Sequence, residues 1–407
     1  MRQNSRNEGI EGKEIVEFNR ETIELAIRGR IRSIIEQVCE AELDEVLGAE
    51  PSQRVGEQRK GYRNGHRERT LTTSSGPTTF WLPRARLNTK EGGSEEWRSR
   101  TVGRYERRSQ RVDEAIVGVY LSGANTRRIR GALAPLLREA PLSKDAVSRL
   151  VGRLKEDFEQ WRQQDLKDEQ IEYLFMDGWY PKVRIDKKRV RVPVLVTLGA
   201  NRSGEKRIID LRIAGEESSA AWGEVIADLV KRNIGIPKLA MIDGSAGLPC
   251  ALQKQWKAIE IQRCTVHKLR NLLSKAPARM REELAEDYRR MIYADSAEEV
   301  GKQRTRFERK WRLKCAAVAD SLAEAGDHLF TFTKFSRSQW RGLRTTNAIE
   351  RINGEFRRRT KTQASMPNED AIVLVIYGLI RSGQIRLNRI AGWQDMGKEA
   401  PASAAAA

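Results

Sequence analysis

Two aspartates stand where buried strands are expected to end, at positions that suit a metal ion. Asp177 closes the apolar run YLFMD and Asp243 closes LAMID, and a glycine follows each of them. A carboxylate at the end of a buried strand costs desolvation energy unless an opposite charge neutralises it. One Asp-Gly pair alone is more often a turn. Two matching pairs in a basic chain favour a site for a hard divalent cation.

A third carboxylate, Glu350, is expected on a helix beside the same site. In the segment RTTNAIERINGEFRRRTK, the residues Asn347, Glu350, Gly354 and Arg357 follow one another at three- and four-residue steps. This spacing places them on one helical face. Gly354 leaves room for a close approach, and Arg357 could hold a phosphate. The alternative is a solvent-exposed glutamate on a basic helix, which would be preferred without the two aspartates.

Three carboxylates of this kind can perform phosphoryl transfer. They can hold two Mg²⁺ ions roughly 3.5 to 4 Å apart, and Mn²⁺ is expected to substitute for Mg²⁺. One ion activates water or a 3′-hydroxyl, and the other stabilises the leaving oxygen in an in-line displacement at phosphorus. The sequence has no GxxxxGK[ST] loop, HExxH, GxSxG or zinc-finger spacing that would indicate a competing chemistry.

A mixed sheet is expected to position the two aspartates. Strand-like runs begin at Ile171 and are IEYLFMD, VPVLVTLGA, RIIDLRIA, KLAMID and AIEIQ, with helices between the last three. This order is typical of an α/β domain whose sheet is covered by helices. A charged helical region follows from about 265 to 340, and a further helix pair runs from Asn347 to about Leu387.

The region before the sheet is mainly helical and basic. Apolar residues at three- and four-residue intervals predict helices over 13–48, where the apolar stripe is either core or a dimer surface. Residues 54–86 are expected to form a basic loop, which includes Arg63 and Arg67, followed by a small hairpin.

Three helical pieces are predicted between residues 111 and 163, with Asn125 and Ser143 as N-caps. They suit a helix-turn-helix that binds DNA or, equally, a generic helical bundle with solvated charges. In the DNA-binding interpretation, the contacts come from Arg127, Arg128, Arg130 and Arg149.

Composition favours a polyanionic partner. The 407 residues carry a formal net charge of +19, and the sequence pI is about 9.9. Such a charge indicates nucleic acid, and neither a spanning segment nor a lipidation signal supports a membrane interpretation. The N-terminus lacks an apolar h-region and the four cysteines show no CxxC pair, so we expect a cytoplasmic, nucleoid-associated protein with reduced thiols. The tail PASAAAA is expected to be disordered.

Beyond these patterns, the sequence resembles the Mutator-type transposases of bacterial insertion sequences over most of its length. The matching pieces are RNGHRERTLTTSSGP, YLFMDGWYPKVR, MIDGSAGL, IQRCTVHKLRNLL and RTTNAIERINGEFRRRTK, in the family's order and spacing. The resemblance implies a ribonuclease H-like fold on which Asp177, Asp243 and Glu350 are the catalytic and metal-binding triad. It also makes residues 265–340 an all-α insertion before the glutamate helix.

Further roles follow from the same resemblance. Cys264 and His267 match the family's C-x2-H motif, which implies buried packing near the triad, with a zinc half-site as the alternative. Trp311 in the insertion is expected either to stack on a base pulled out of the duplex or to be a core residue. The remaining positions assigned to the motif or to DNA contacts are Asn271, Asn347, Arg270, Arg357 and Arg358.

The expected protein is therefore a DNA transposase that binds terminal inverted repeats and target DNA as a homodimer or larger homo-oligomer. A catalytically silent DNA-binding regulator and a ribonuclease H-like nuclease are the alternatives. The expected architecture is α/β, a ribonuclease H-like mixed sheet with an all-α insertion after a mainly helical DNA-binding region. The expected domain bounds are 1–110, 111–165, 166–264, 265–340, 341–390 and a disordered tail at 391–407.

Overall fold

The computed structural model describes the chain over most of its length. The described residues are 20–53, 60–89, 92–122, 124, 126–138, 140–185, 188–244, 247–362, 369–383 and 385–396. The chain divides into two compact units, one comprising residues 1–120 and 125–150 and the other comprising residues 121–124 and 151–407. The predicted N-cap Asn125 and residues 397–407 of the expected tail lie outside the described residues.

The first unit combines a long helix with a hairpin. Its elements are α1 (Arg20–Leu47), β1 (Gly61–Thr73), β2 (Gly76–Asn88), β3 (Ser94–Glu96), α2 (Gln110–Leu121), α3 (Thr126–Ala132), α4 (Ala134–Leu137) and the start of α5 (Lys144–Arg162). β2 pairs antiparallel with β1 and with β3. The buried side chains of Cys39 on α1 and of Phe80 and Leu82 on β2 belong to one apolar cluster. The Glu36 carboxylate accepts a hydrogen bond from the backbone amide of Trp81. This bond gives that strand amide a partner that the sheet itself does not provide.

Two expectations for this unit need correction. The segment expected to be a basic loop is strand β1, because acidic side chains of α1 pair with its arginine and histidine side chains while its backbone pairs with β2. The second predicted helical piece is broken at Leu133 into α3 and α4, since Pro135 lies in the first turn of α4 and cannot continue the preceding helix. The predicted N-cap Ser143 is confirmed, because its hydroxyl accepts a hydrogen bond from the Ala146 amide at 3.1 Å.

The second unit contains the mixed sheet. Its strands are β4 (Ile171–Trp179), β5 (Lys182–Ile185), β6 (Lys188–Arg191), β7 (Val194–Asn201), β8 (Lys206–Ile213), β9 (Leu239–Ile242) and β10 (Glu260–Arg263). The main sheet has the order β10-β9-β4-β7-β8. β4, β9 and β10 are parallel, whereas β7 is antiparallel to β4 and β8 is antiparallel to β7. The predicted α/β architecture with a mixed sheet is confirmed, and β5 and β6 form a separate antiparallel hairpin.

Helices cover the sheet and fill the region after it. They are α6 (Ser219–Lys231), α7 (Gly247–Gln255), α8 (Thr265–Lys275), α9 (Arg281–Ile292), α10 (Ala297–Lys314), α11 (Ala316–Ala325), α12 (Trp340–Leu343), α13 (Asn347–Thr362) and α14 (Asp370–Arg381). Residues 265–346, all of them described, contain helices and turns but no strand. The buried side chains of Trp222 and Leu229 on α6 pack in one core with Leu174 of β4 and Ala240 of β9. Within the described ranges, no helix is long and apolar enough to cross a membrane.

Candidate active site

The parallel pairing of β4 with β9 brings the two predicted aspartates to equivalent places. Met176 pairs with Ile242 in the register, so Asp177 within β4 and Asp243 directly after β9 are the next residues on the two neighbouring chains of the sheet. The carboxyl ends of parallel strands meet at one edge of a sheet, which is where ligands bind in open α/β sheets. Asp177 is buried, with 5% of its surface exposed.

Glu350 is placed beside these strands by the first turn of α13. The apolar face of this helix is fully buried through Ile349, Ile352 and Phe356. The Phe356 ring lies 5.6 Å from the Trp179 ring at the end of β4, measured between centroids. This packing orients the helix so that its first turn lies near the aspartates, and Glu350 is one of the charges that act on Asp177.

Two cationic side chains of α8 hold the Glu350 carboxylate. Its Oε1 atom lies 3.0 Å from His267 Nε2 and 2.9 Å from an Arg270 guanidinium nitrogen. The C-x2-H motif therefore contributes a contact to the third acid of the predicted triad. Arg270, expected to contact DNA, is paired with Glu350.

Asn353 is a buried residue of the site that the sequence interpretation missed. Its side-chain amide donates a hydrogen bond to Asp177 Oδ2 at 3.0 Å. Only 6% of Asn353 is exposed, and its Oδ1 atom has no hydrogen-bond partner among the described residues. The available signal was a polar residue at a core position of α13, one helical turn after Ile349.

The charges of the site strongly perturb two groups. Burial raises the pKa of Asp177 to about 7, with further increases from Asp243, Glu217 and Glu350 and an opposing effect from His267. Interaction with the Cys264 thiol raises the pKa of His267 to about 9, so the imidazole is cationic near neutral pH. Burial alone would raise the pKa of Cys264, but His267 and the Thr346 amide lower it below the ordinary thiol value.

Glu217 is a further acid near Asp177 that the sequence interpretation did not include. It precedes the N-cap Ser218 of α6. The Tyr180 hydroxyl donates a hydrogen bond to its Oε2 atom at 2.7 Å, and the Trp222 indole N–H donates to its Oε1 atom at 3.2 Å. The signal that could have found it is weak, because Glu217 lies in a polar loop of ordinary composition.

The donor set of the site suits a hard divalent cation. Asp177 and Asp243 offer carboxylate oxygens from neighbouring strands, and the amide oxygen of Asn353, which has no hydrogen-bond partner among the described residues, is also a hard ligand. Within the part of the chain that the structure describes, no three His, Cys, Asp or Glu side chains already converge closely enough to hold a metal ion. The third carboxylate of the predicted set, Glu350, forms ion pairs with His267 and Arg270.

Other predicted residues lie in varied environments. Arg63 forms ion pairs with Glu40 and Asp44 of α1, and Arg67 is half-buried on β1. The remaining predicted contact and motif residues outside the carboxylate cluster are exposed, namely Arg127, Arg128, Arg130, Arg149, Asn271, Asn347, Arg357 and Arg358.

Trp311 lies in the core of the helical region. Its exposed fraction is 0%, and its indole N–H donates a hydrogen bond to Asp287 at 3.1 Å. The ring packs 5.9 Å from that of Phe307 between centroids. A ring without exposed surface cannot stack on a base in this conformation, so the structure corrects the stacking role and supports the core alternative.

The fold and site define an α/β protein with a carboxylate cluster at the ends of adjacent parallel strands. The chain belongs to the Mutator family of transposases, whose family model matches residues 9–386. It is 29% identical to a transposase for insertion sequence element ISRM5 of Rhizobium meliloti, over 87% of this chain and 86% of the relative. It is 27% identical to a transposase for insertion sequence element IS256 in transposon Tn4001 of Staphylococcus aureus, over 83% and 85% of the two chains.

Proposed function

We propose that this protein is an insertion-sequence transposase that cleaves and joins DNA strands by metal-dependent phosphoryl transfer, with Asp177, Asp243 and Glu350 as its catalytic triad. The observation that carries the proposal is the meeting of Asp177 and Asp243 on neighbouring parallel strands beside Glu350 on α13. The sheet order and strand directions support a ribonuclease H-like fold. The family membership supports DNA as the substrate.

The protein's own residues would prepare the site for catalysis. Asp177 and Asp243 would hold divalent cations, Mg²⁺ or Mn²⁺, and Asn353 keeps the Asp177 carboxylate oriented through its amide. Bound cations would supply the positive charge that activates a nucleophile and stabilises the leaving oxygen. Glu350 would join them by leaving His267 and Arg270, and Arg270 would then be able to pair with a DNA phosphate.

The first test uses Asp177→Asn, Asp243→Asn and Glu350→Gln, because neutral amides keep the shape of the side chains and remove the charge. Cleavage and strand transfer should fall to background while binding of DNA ends survives. The exposed Asp168→Asn serves as the matched control and should remain active. Gel-shift and strand-transfer assays on the same preparations measure both properties. Near-normal joining by a triad variant would remove that residue from the triad.

The same assays separate the two alternatives. A silent DNA-binding regulator would bind the ends with no strand transfer in the wild-type protein. A nuclease would cut them without joining the new 3′ end to target DNA. The presence of all three carboxylates argues against the regulator.

Recognition of the terminal inverted repeats is assigned to the first unit, through the exposed arginines Arg127, Arg128 and Arg130 on α3. Replacing all three by alanine should weaken end binding. The slope of log affinity against log salt concentration should also fall by about one for each arginine, because each is expected to contact one phosphate. Binding measured between 50 and 200 mM salt tests this. An unchanged slope would place the recognition elsewhere. Assembly as a homodimer or larger oligomer is proposed because two transposon ends must be held together.

A further inference from the structure

The hairpin β5–β6 extends the chain beyond the end of the sheet that carries Asp177. Trp179 ends β4 and pairs with Val194, the first residue of β7, so the chain between them continues past that end of the sheet. The Val192 amide donates a hydrogen bond to the Pro181 carbonyl at 3.1 Å and closes the base of the hairpin. The hairpin is therefore attached to the strand that carries the first predicted catalytic acid.

The register of this hairpin places its basic residues on one face. Two of its cross-strand pairs are wholly basic, namely Lys182–Arg191 and Arg184–Arg189. The pair between them is apolar, Val183–Val190. Because successive residues of a strand alternate between faces, the two basic pairs share one face and the apolar pair belongs to the other. The four basic residues form the basic face of the hairpin.

The charges of the basic face repel one another. Like charges directly opposite each other in an antiparallel pair are destabilising. Lys182, Arg189 and Arg191 are exposed, and no acidic side chain in the described part of the chain pairs with them. Basic side chains of α10 differ, since Arg304, for example, pairs with Glu308 at 3.0 Å. A partner that brings negative charge to the hairpin would relieve this repulsion.

We propose that the basic face of β5–β6 binds the phosphate backbone of the transposon-end duplex, beside the phosphate on which Asp177 and Asp243 act. The proposal rests on the function proposed above and adds a DNA-contact surface in the second unit. Charge complementarity supports it, because duplex DNA carries one negative charge about every 1.7 Å along its axis.

The transposon end, rather than the target, is the DNA assigned to this face. The end must lie in the site during both cleavage and joining, whereas target DNA enters only for joining. The competing role is a solvated hairpin, whose charges only keep its edges from pairing with other strands.

The first measurement is DNA binding by the full-length protein in a chelator, with a duplex that carries the terminal inverted repeat and its flank. The hairpin variant replaces Lys182, Arg189 and Arg191 by glutamine. The slope of its log affinity against log salt concentration should fall by about two to three, since each lost cation releases about one phosphate contact. Arg189→Lys combined with Arg191→Lys keeps the charge and should keep the wild-type slope.

The matched control replaces three other exposed lysines by glutamine, Lys231, Lys254 and Lys257. They lie at or just after the C-terminal ends of α6 and α7, and the strands that follow these helices begin at the end of the sheet away from Asp177. The control variant loses the same charge and should keep the wild-type slope. Equal reductions in the two triple variants would show that only net charge matters and would overturn the proposal.

Kinetic assays separate end DNA from target DNA. The hairpin variant should show a higher KM for cleavage of an uncut end and a kcat near that of the wild type, because the contact positions DNA without touching the reacting atoms. Normal end binding and cleavage, with impaired joining of a pre-cleaved end to target DNA, would assign the face to target DNA and overturn the proposal. An unchanged salt slope would leave the charges to solvent and overturn it as well.

Failure of this inference is distinguishable from failure of the proposed function. A wild-type protein that neither cleaves nor joins would overturn the proposed function, while the salt slopes, measured in the chelator, still test the hairpin. Urea unfolding without DNA checks the fold of the hairpin variant, whose stability should not fall because like-charged pairs are removed. If that variant does not fold, Arg191→Gln alone should reduce the slope by about one, and a wild-type slope overturns the proposal.

Discussion

Two buried aspartates of the same sheet have opposite surroundings. Asp177 on β4 is 5% exposed and Asp210 on β8 is 0% exposed, and burial raises the pKa of both carboxyls. Asp210 has guanidinium groups of Arg212 and Arg232 at 3.5 and 3.9 Å. At Asp177 the charges of Asp243, Glu217 and Glu350 instead raise the pKa further, while that of His267 opposes them.

The difference lies in the sign of the charges that act on each buried acid. The arginines near Asp210 lower its pKa and so oppose the cost of burying its charge, although burial still raises the pKa overall. At Asp177 the nearby acids add to the cost, which is what the cation site proposed above would relieve. Two acids of the helical region also lie beside cationic side chains, as Asp210 does. Asp287 pairs with Lys310, and Glu324 pairs with Arg263 and Lys268.

The largest loss of stability is expected at Trp311, a core residue that donates a hydrogen bond to Asp287. Trp311→Ala removes a fully buried ring and the N–H donor to Asp287. The free energy of unfolding should fall by about 3 to 5 kcal/mol, measured by urea unfolding. Strand cleavage should show no rescue on DNA already mismatched beside the cut. An unchanged stability with rescue on mismatched DNA would restore the base-stacking role and place Trp311 with the functional residues.

Asp210→Asn should show that the first buried aspartate is structural. Removing its charge leaves the buried Arg232, which is 6% exposed, without one of its opposing charges. Loss of one partner of a buried ion pair costs about 3 to 5 kcal/mol, but burial raises the pKa of Asp210, so removing the charge offsets part of this cost and the net loss should be below about 3 kcal/mol. Urea unfolding should record this loss, whereas the strand-transfer rate per folded molecule should remain near that of the wild type. A specific loss of rate with normal stability would contradict the contrast between Asp210 and Asp177.

Asp177→Asn should have the opposite effect on stability. The pKa of Asp177 is about 7 in the fold and 3.8 as a free group, so the folded state favours the protonated acid. The native protein therefore loses stability as pH rises from 3.8 to about 7, and the loss is complete above that range. Metal-free Asp177→Asn should be more stable than the wild type by a few kcal/mol at pH 8, with the gain shrinking toward pH 4.

Thermal unfolding in a chelator at pH 8, 6 and 4 measures this gain. Saturating Mn²⁺ should reverse the order, because the cation stabilises the wild type by binding only to its folded state. A variant that is less stable than the wild type in the chelator at pH 8 would contradict the inference that the ionised Asp177 carboxylate destabilises the metal-free fold.

The sheet and its two aspartates could be predicted because short continuous apolar runs bounded by turn residues are typical of buried strands. Asp177 and Asp243 stand out since each ends such a run. Asn353 and Glu217 were missed because their roles depend on tertiary contacts across long sequence separations, such as the 176 residues between Asn353 and Asp177. The basic strand β1 was missed because ion pairs with α1 offset its polar composition.

The smallest effect on stability is expected at Glu324, a surface acid that pairs with Arg263 and Lys268. Through Arg263 it is linked to the candidate site. Its carboxylate accepts from Arg263 at 2.7 Å and from Lys268 at 2.8 Å, and Lys268 is only 3% exposed. Arg263 lies against Gly244, where an added Cβ would be 2.8 Å from its guanidinium, and Gly244 directly follows Asp243. Glu324 therefore helps to hold the loop that carries Asp243.

Glu324→Gln should lower the free energy of unfolding by about 1 kcal/mol at pH 7, since the side chain is 61% exposed and solvent screens the pair. Arg263 first, and then Lys268, lowers the pKa of Glu324 from 4.5 to about 2. The stabilisation is thus present above pH 4.5 and is lost as pH falls toward 2, so the difference from the wild type should shrink in urea unfolding at pH 3. Asp320→Asn, which breaks an exposed pair with Arg312, is the control and should cost less. Equal effects of the two variants at pH 7, with normal strand transfer in both, would show that Arg263 does not need Glu324 to support the Asp243 loop.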